Sequence, residues 1–122
     1  MKGEPLPLYG DGRASRDYTY IDDIIDGVVR ALDRCPDYRV YNLGESRPIE
    51  LNDLVRALET ALGKQVRIER LPPQPGDVEC TYADVSRARR ELGYEPRTPL
   101  EEGLRRFVAW YRENHDREEV GR

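Results

Sequence analysis

Gly10-Asp11-Gly12 stands four residues ahead of the run Arg16-Asp17-Tyr18-Thr19-Tyr20-Ile21-Asp22-Asp23. This stretch constrains the chain more than any other. The paired glycines demand a turn. Arg16 to Tyr20 then reads as a short strand, and Asp22 or Asp23 suits the cap and positive start of a helix. An arginine held on a strand is a ready phosphate clamp, because its planar fork donates two parallel hydrogen bonds. The period-two alternation of a strand would set Tyr18, and Tyr20 as well, on the same side as Arg16.

The flanking pattern is α/β. Leu6-Pro7-Leu8-Tyr9 predicts an edge strand, since prolines at 5 and 7 cannot donate to a central ladder. A helix is predicted over 22–34, with Ile21, Ile24, Ile25, Val28, Val29 and Leu32 on one apolar face and Pro36 beyond its end. Arg39 to Leu43 reads as a Val/Tyr-rich strand closed by Gly44. Residues 51–62 predict a second helix that Gly63 terminates. Val66 to Leu71 predicts a half-buried strand. Pro72-Pro73-Gln74-Pro75-Gly76 can be neither helix nor central strand, so it is a rigid loop. Asp84 is placed to cap a short helix ended by Gly93. Thr98-Pro99-Leu100-Glu101 has the form of a capping box with proline at the first helical position. The last helix carries Leu100, Leu104, Phe107, Val108 and Tyr111 on one face. Residues 1–115 form one domain, and the charged tail 116–122 is expected to fray.

Composition closes off several function classes. A net charge of −4 argues against a general nucleic-acid footprint. Cys35 and Cys80 lie far apart and outside any C-x-x-C unit, which fits reduced thiols. With His115 the single histidine, no transition-metal ligand set is apparent. No apolar run is long enough to span a bilayer, and the chain reads as cytoplasmic. The adjacent acids Asp22 and Asp23 are read as helix-start groups rather than an acid/base pair.

The run from Gly10 to Asp23 resembles the G-D-G-x-x-x-R-D-[FY]-x-Y-[VI]-x-D stretch of the extended short-chain dehydrogenases that epimerise or dehydrate nucleotide sugars. Gln74-Pro75-Gly76-Asp77-Val78, Thr81-Tyr82-Ala83-Asp84 and Glu91-Leu92-Gly93-Tyr94-Glu95-Pro96 resemble the end of the same family, in wording nearest its UDP-glucuronate 4-epimerase branch. The likeness runs over roughly residues 3 to 114 and matches the C-terminal part of the family's protein. It implies a small α/β lobe of short strands and about four helices, without the dinucleotide-binding Rossmann domain.

The resemblance also implies a site for the UDP moiety of a UDP-sugar. Arg16 would bind the diphosphate, with Tyr18 beside it. Asp77 would accept hydrogen bonds from the ribose hydroxyls. Leu8 and Tyr9 would border the uracil, mainly through backbone groups. Gln74 stands where the galactose-epimerase branch usually carries a second phosphate-binding arginine, and the glucuronate-type branch shares this glutamine. A hydrogen bond to a charged donor contributes about 1.5–3 kcal/mol and a neutral one about 1 kcal/mol, so one phosphate contact is weaker here.

The family uses bound NAD, held by a G-x-x-G-x-x-G turn, and a tyrosine with a lysine four residues on for proton transfer. No two glycines in this chain are three apart, and its only lysines, Lys2 and Lys64, do not follow a tyrosine at that spacing. No catalytic residue and no cofactor ligand is therefore expected in this chain, and no activity from it alone. Three roles remain open: a fragment without independent function, a stand-alone nucleotide-sugar-binding module, or a subunit docking on a separate dinucleotide-binding chain. In the family the 22–34 helix and the 39–43 strand pack onto the dinucleotide-binding sheet. Without that cover, either the helix is expected to rearrange or a homodimer is expected to bury Ile24, Ile25, Val28 and Val29 or pair the Val40 strands across its two-fold.

Overall fold

The computed structural model describes residues 3–119, with side chains through residue 115. Its elements follow the order β1 (Leu6–Tyr9), β2 (Ser15–Asp17), α1 (Ile21–Arg34), β3 (Pro48–Glu50), α2 (Leu51–Leu62), β4 (Ile68–Leu71), α3 (Ser86–Leu92) and α4 (Leu100–Glu119). The strands form two small sheets. β1 pairs parallel with β4, Leu6 opposite Ile68 and Tyr9 opposite Leu71. β2 pairs antiparallel with β3, Arg16 opposite Ile49. On its other edge β2 meets the 79–81 segment: Ser15 N–H donates to Glu79 O (2.7 Å), and Thr81 N–H donates to Ser15 O (3.1 Å). A stretch of three residues thus has neighbours on both sides.

Several expected elements fall where the pattern put them. α2 spans residues 51–62, and Gly63 adopts φ 67°, with its N–H returned to Glu59 O. Gly93 ends α3 in the same left-handed conformation. Other expectations are corrected. The 39–43 segment joins no ladder. Tyr41 and Leu43 instead turn their side chains onto a cluster of Val85, Ala88, Leu92 and Tyr94, because no strand edge among the described residues lies free beside them. β3 was not anticipated: Pro48-Ile49-Glu50 is too short to show an alternation. α4 continues through Glu119, and residues 120–122 of the tail lie outside the described residues.

The caps differ too, for one shared reason. Tyr20 is the residue that caps α1, through its carbonyl, with no side-chain bond. Asp23 is buried and reaches across the molecule, accepting from Arg97 N–H (3.1 Å) and Thr98 N–H (2.9 Å). The Thr98 amide that Glu101 would take in a capping box is thus claimed by α1. Pro99 stands just before α4, and its carbonyl accepts from Gly103 N–H. Asp84 bonds Ser86 N–H and Oγ, and Val85 takes the cap position of α3.

α1 faces inward with its small residues. A Cβ on Gly27 would lie 2.8 Å from both Leu43 δ-methyls and 3.0 Å from the Tyr94 ring. The Ile/Val stripe expected to be covered faces outward: Ile21, Ile25, Val28, Val29 and Leu32 are exposed, as are Tyr38 and Val40. α2 and α4 pack against each other, with Val55 and Val108 buried.

Asp17 ties the two halves together. Its carboxylate accepts from Glu45 N–H (3.1 Å), Ser46 N–H (3.0 Å) and Ala83 N–H (3.0 Å). Thr19 Oγ1 accepts from the same Glu45 amide at 3.1 Å. Tyr94 is almost fully buried and donates its hydroxyl to Gly44 O (2.9 Å). These bonds bring β2, the 44–46 turn and the 83–94 segment to one point. A Cβ on Gly44 would sit 2.7 Å from both the Ala83 Cβ and Asp17 Oδ2. Neither neighbour has room to withdraw without breaking a bond.

Two outcomes follow from this junction. Gly44→Ala should lower stability by about 1–3 kcal/mol, the usual cost of overpacking, in chemical denaturation; an unchanged midpoint would contradict the packing. The second concerns Glu45, whose Oε2 is buried without a hydrogen-bond partner. Burial raises its carboxyl above the ordinary 4.5, helped by the charges of Asp23 and Asp17 and opposed by Arg47. The folded state therefore holds this proton more tightly than the unfolded chain. Stability from Glu45 is full below pH 4.5 and is lost as pH rises toward the folded value. Glu45→Gln should be more stable than the parent at pH 7, with the difference closing below pH 4.5. An equal gain at both pH values would exclude titration as its origin.

Candidate functional site

Arg16 lies on β2, and the turn that carries Asp77 reaches it by two routes. β4 pairs with β1, and Gly10 N–H donates to Leu71 O (2.9 Å), so the chain leaving β4 runs beside the Gly10 turn. After the loop, residues 79–81 lie along β2. Between these anchors, Gln74-Pro75-Gly76-Asp77 closes with Asp77 N–H donating to Gln74 O (3.2 Å). Gly76 has φ 83°. Proline second and a positive-φ glycine third is the pattern of a type II turn.

The turn delivers Asp77 to Arg16. Arg16 Nη2 donates to Asp77 Oδ1 at 2.5 Å, and Nη1 donates to Ser15 O at 2.8 Å. The Arg16 side chain is 29% exposed and that of Asp77 52%. The two residues with the sharpest expected roles, 61 positions apart in sequence, are thus in direct contact. Gln74 is exposed on the same turn. Leu8 is almost fully buried as a whole residue, whereas Tyr9 is exposed.

Tyr18 lies near Arg16 and also borders α2 and α4. β2 ends at Asp17, so strand alternation no longer governs residue 18. Tyr18 lines two cavities beside α2 and α4 that contain none of the other five expected residues. One, of about 680 Å³, also holds Glu45, Arg47, Asp53, Arg56 and Arg105. The other, of about 620 Å³, is walled by Tyr20, Leu54, Leu104, Phe107 and Trp110. Burial raises the Tyr18 hydroxyl pKa, opposed by the nearby Arg16 charge. Tyr20 packs its ring on Gly103 and under the Arg106 guanidinium, 5.5 Å from the ring centre, which is a structural role.

The helix starts do not suit a dinucleotide. α2 follows the antiparallel strand β3 directly at Glu50, and α1 follows Tyr20. Neither is a glycine-rich turn from a parallel strand of the kind that admits a pyrophosphate. These two starts therefore offer no pyrophosphate-binding turn among the described residues. Among them no group of three His, Cys, Asp or Glu side chains could hold a metal ion, and no helix is long and apolar enough to cross a membrane.

The sequence pattern did not mark Asp17 or Glu45 as site-building residues. The only signal for Asp17 was its place between Arg16 and Tyr18, and Glu45 had none.

A family model described as GDP-mannose 4,6 dehydratase matches residues 1–107. UDP-glucuronate 4-epimerase of Thermodesulfobacterium geofontis is 41% identical over 112 residues, covering 91% of this chain and 34% of that protein. The UDP-glucose 4-epimerase of Thermotoga maritima, solved with UDP-glucose, superposes with a TM-score of 0.86 at 34% identity, over 93% of this chain and 37% of its own. A Y149F mutant of UDP-glucuronic acid 4-epimerase from Bacillus cereus, solved with UDP-4-deoxy-4-fluoro-glucuronic acid and NAD, gives 0.82 at 35% identity, over 90% and 36%. The chain spans between 29% and 39% of the length of such curated relatives. With a family match over most of its length and these structural counterparts, the chain belongs to the GDP-mannose 4,6 dehydratase family of extended short-chain dehydrogenases and corresponds to the C-terminal portion of its epimerases.

Proposed function

We propose that this chain holds the UDP moiety of a UDP-sugar for an NAD-dependent epimerase or dehydratase of the UDP-glucuronate 4-epimerase type. The observation that carries the reading is the meeting of Arg16 and Asp77 on one surface. Arg16 offers a guanidinium to the diphosphate, and Asp77 offers carboxylate oxygens to the ribose hydroxyls. The exposed Tyr9, one residue before Gly10, whose N–H bonds Leu71 O at the start of the 72–77 loop, would border the base. Three prolines stiffen that loop, so little entropy is lost when it holds a ligand. Gripping the nucleotide remotely is useful to catalysis, because binding energy there fixes the reacting carbon of the sugar. The redox step itself needs residues that this chain does not have.

The outward stripe of α1 supports a second part of the reading. Ile25, Val28, Val29 and Leu32 form a face of α1 that suits a dinucleotide-binding domain, in the same polypeptide or in a separate chain. Alone, the chain would cover this face with a second copy of itself.

Two measurements test the reading. Titration with UDP followed by NMR should shift amides of Tyr9, Arg16 and the 74–77 turn, with a dissociation constant in the millimolar range, about 4 kcal/mol of affinity. Arg16→Ala should remove most of the response; equal shifts in parent and variant would sink the site. Light scattering at micromolar concentration should give a dimer that Ile25→Glu combined with Val29→Glu converts to a folded monomer. A monomeric parent chain would show that this face needs no cover.

A further inference from the structure

The small parallel sheet of β1 and β4 has two outer edges of different character. Leu6 N–H donates to Arg67 O (2.7 Å) and Gly10 N–H to Leu71 O (2.9 Å), with Leu6 opposite Ile68. In such a ladder, residues that bond the neighbouring strand alternate with residues whose N–H and C=O face away. Arg67, Glu69 and Leu71 therefore turn their backbone groups to β1, and Val66, Ile68 and Arg70 turn theirs outward. Val66 N–H is met by Glu59 Oε1 at 2.8 Å. Among the described residues no strand lies beside Ile68 and Arg70, and residues 67–70 are all exposed. The β1 edge is different. There residues 5, 7 and 9 face out, and Pro5 and Pro7 have no N–H to offer.

From this geometry we propose that the outer edge of β4 pairs antiparallel with β4 of a second copy of the chain, Ile68 opposite Ile68 on a two-fold axis, to give a four-stranded sheet in the order β1-β4-β4-β1. Charge selects this register. With Ile68 on the axis, Arg67 stands opposite Glu69 of the second copy, twice, in the non-hydrogen-bonded pairs whose side chains lie closest. Moving the axis to residue 67 or 69 sets Arg67 against Arg67 or Glu69 against Glu69. In the favoured register Arg70 N–H reaches Val66 O of the second copy, so the Val66 N–H keeps its bond to Glu59. Pairing stops at two copies, because each outer edge of the combined sheet is then the proline-bearing β1. The contact uses neither the α1 stripe nor the nucleotide site. A short strand pair is marginal by itself, so association is expected toward millimolar concentration, above the micromolar range in which the α1 face is tested.

The test uses the parent chain and the Ile25→Glu, Val29→Glu variant, which removes the α1 face, at rising concentration. NMR should show the Ile68 and Arg70 amides gaining exchange protection. A mixture of isotope-labelled and unlabelled copies should give a contact between Arg67 Hα of one copy and Glu69 Hα of the other. Arg67→Glu and Glu69→Arg should each weaken association about tenfold, because two favourable cross-strand pairs become repulsive. An equimolar mixture of these two variants should restore it, since every facing pair is again opposite in charge. The proposal is overturned if no association appears up to millimolar concentration, or if association leaves the Ile68 and Arg70 amides unprotected. It is also overturned if the single variants associate as the parent does, or if their mixture gains nothing over either alone.

Discussion

Everything in this small fold that presents a surface to a ligand depends on one carboxylate. Asp17 accepts four backbone N–H bonds from two segments remote in sequence, at Glu45, Ser46, Arg47 and Ala83. Bonds of this kind contribute about 1.5–3 kcal/mol each when the acceptor is charged. No hydrophobic sheet stands behind β2 to fix it. β2 is three residues long, and its two neighbours, β3 and the 79–81 segment, are equally short. Asp17 supplies the long-range order that such short ladders lack.

This arrangement explains why Arg16 and Asp17 are adjacent. Strand alternation sends their side chains to opposite faces. Asp17 turns inward and pins the 44–46 turn and the start of the 83–94 segment. Arg16 then projects from a fixed base toward the 74–77 turn, which the 79–81 segment holds alongside. Asp23 repeats the device one helix turn into α1, where it binds the amides ahead of α4. The acid-rich run that opens the chain's main helix is therefore a set of staples between elements. Glu45, drawn into the same junction without a partner for Oε2, is the local cost.

Much of this was legible in the sequence, and the limits have physical causes. Helix extents came through well because apolar spacing and left-handed glycines at 63 and 93 are local signals. The Gly10-Asp11-Gly12 turn was legible, but its partner was not: Gly12 is buried against the Asn52 side chain, whose amide donates to Asp11 O. The caps failed because Asp23 and Thr98 each had a plausible local use and a stronger distant one. The 39–43 strand failed because β propensity needs a neighbouring edge, which the described residues do not provide. Arg16 and Asp77 were singled out through resemblance; spacing alone would not have joined residues 61 positions apart. Tyr18 lies just past the end of β2, so the strand period that suggested its side stops one residue short of it.

The most direct test of this account is native-state hydrogen exchange at the amides of Glu45, Ser46 and Ala83. These three should be protected in the parent chain and should lose protection together in Asp17→Asn, which replaces one acceptor oxygen by a donor. Amides within α2 and α4, which pack on each other away from Asp17, should keep most of theirs. Independent exchange of the three amides, or protection unchanged by the substitution, would contradict the claim that Asp17 organises the fold.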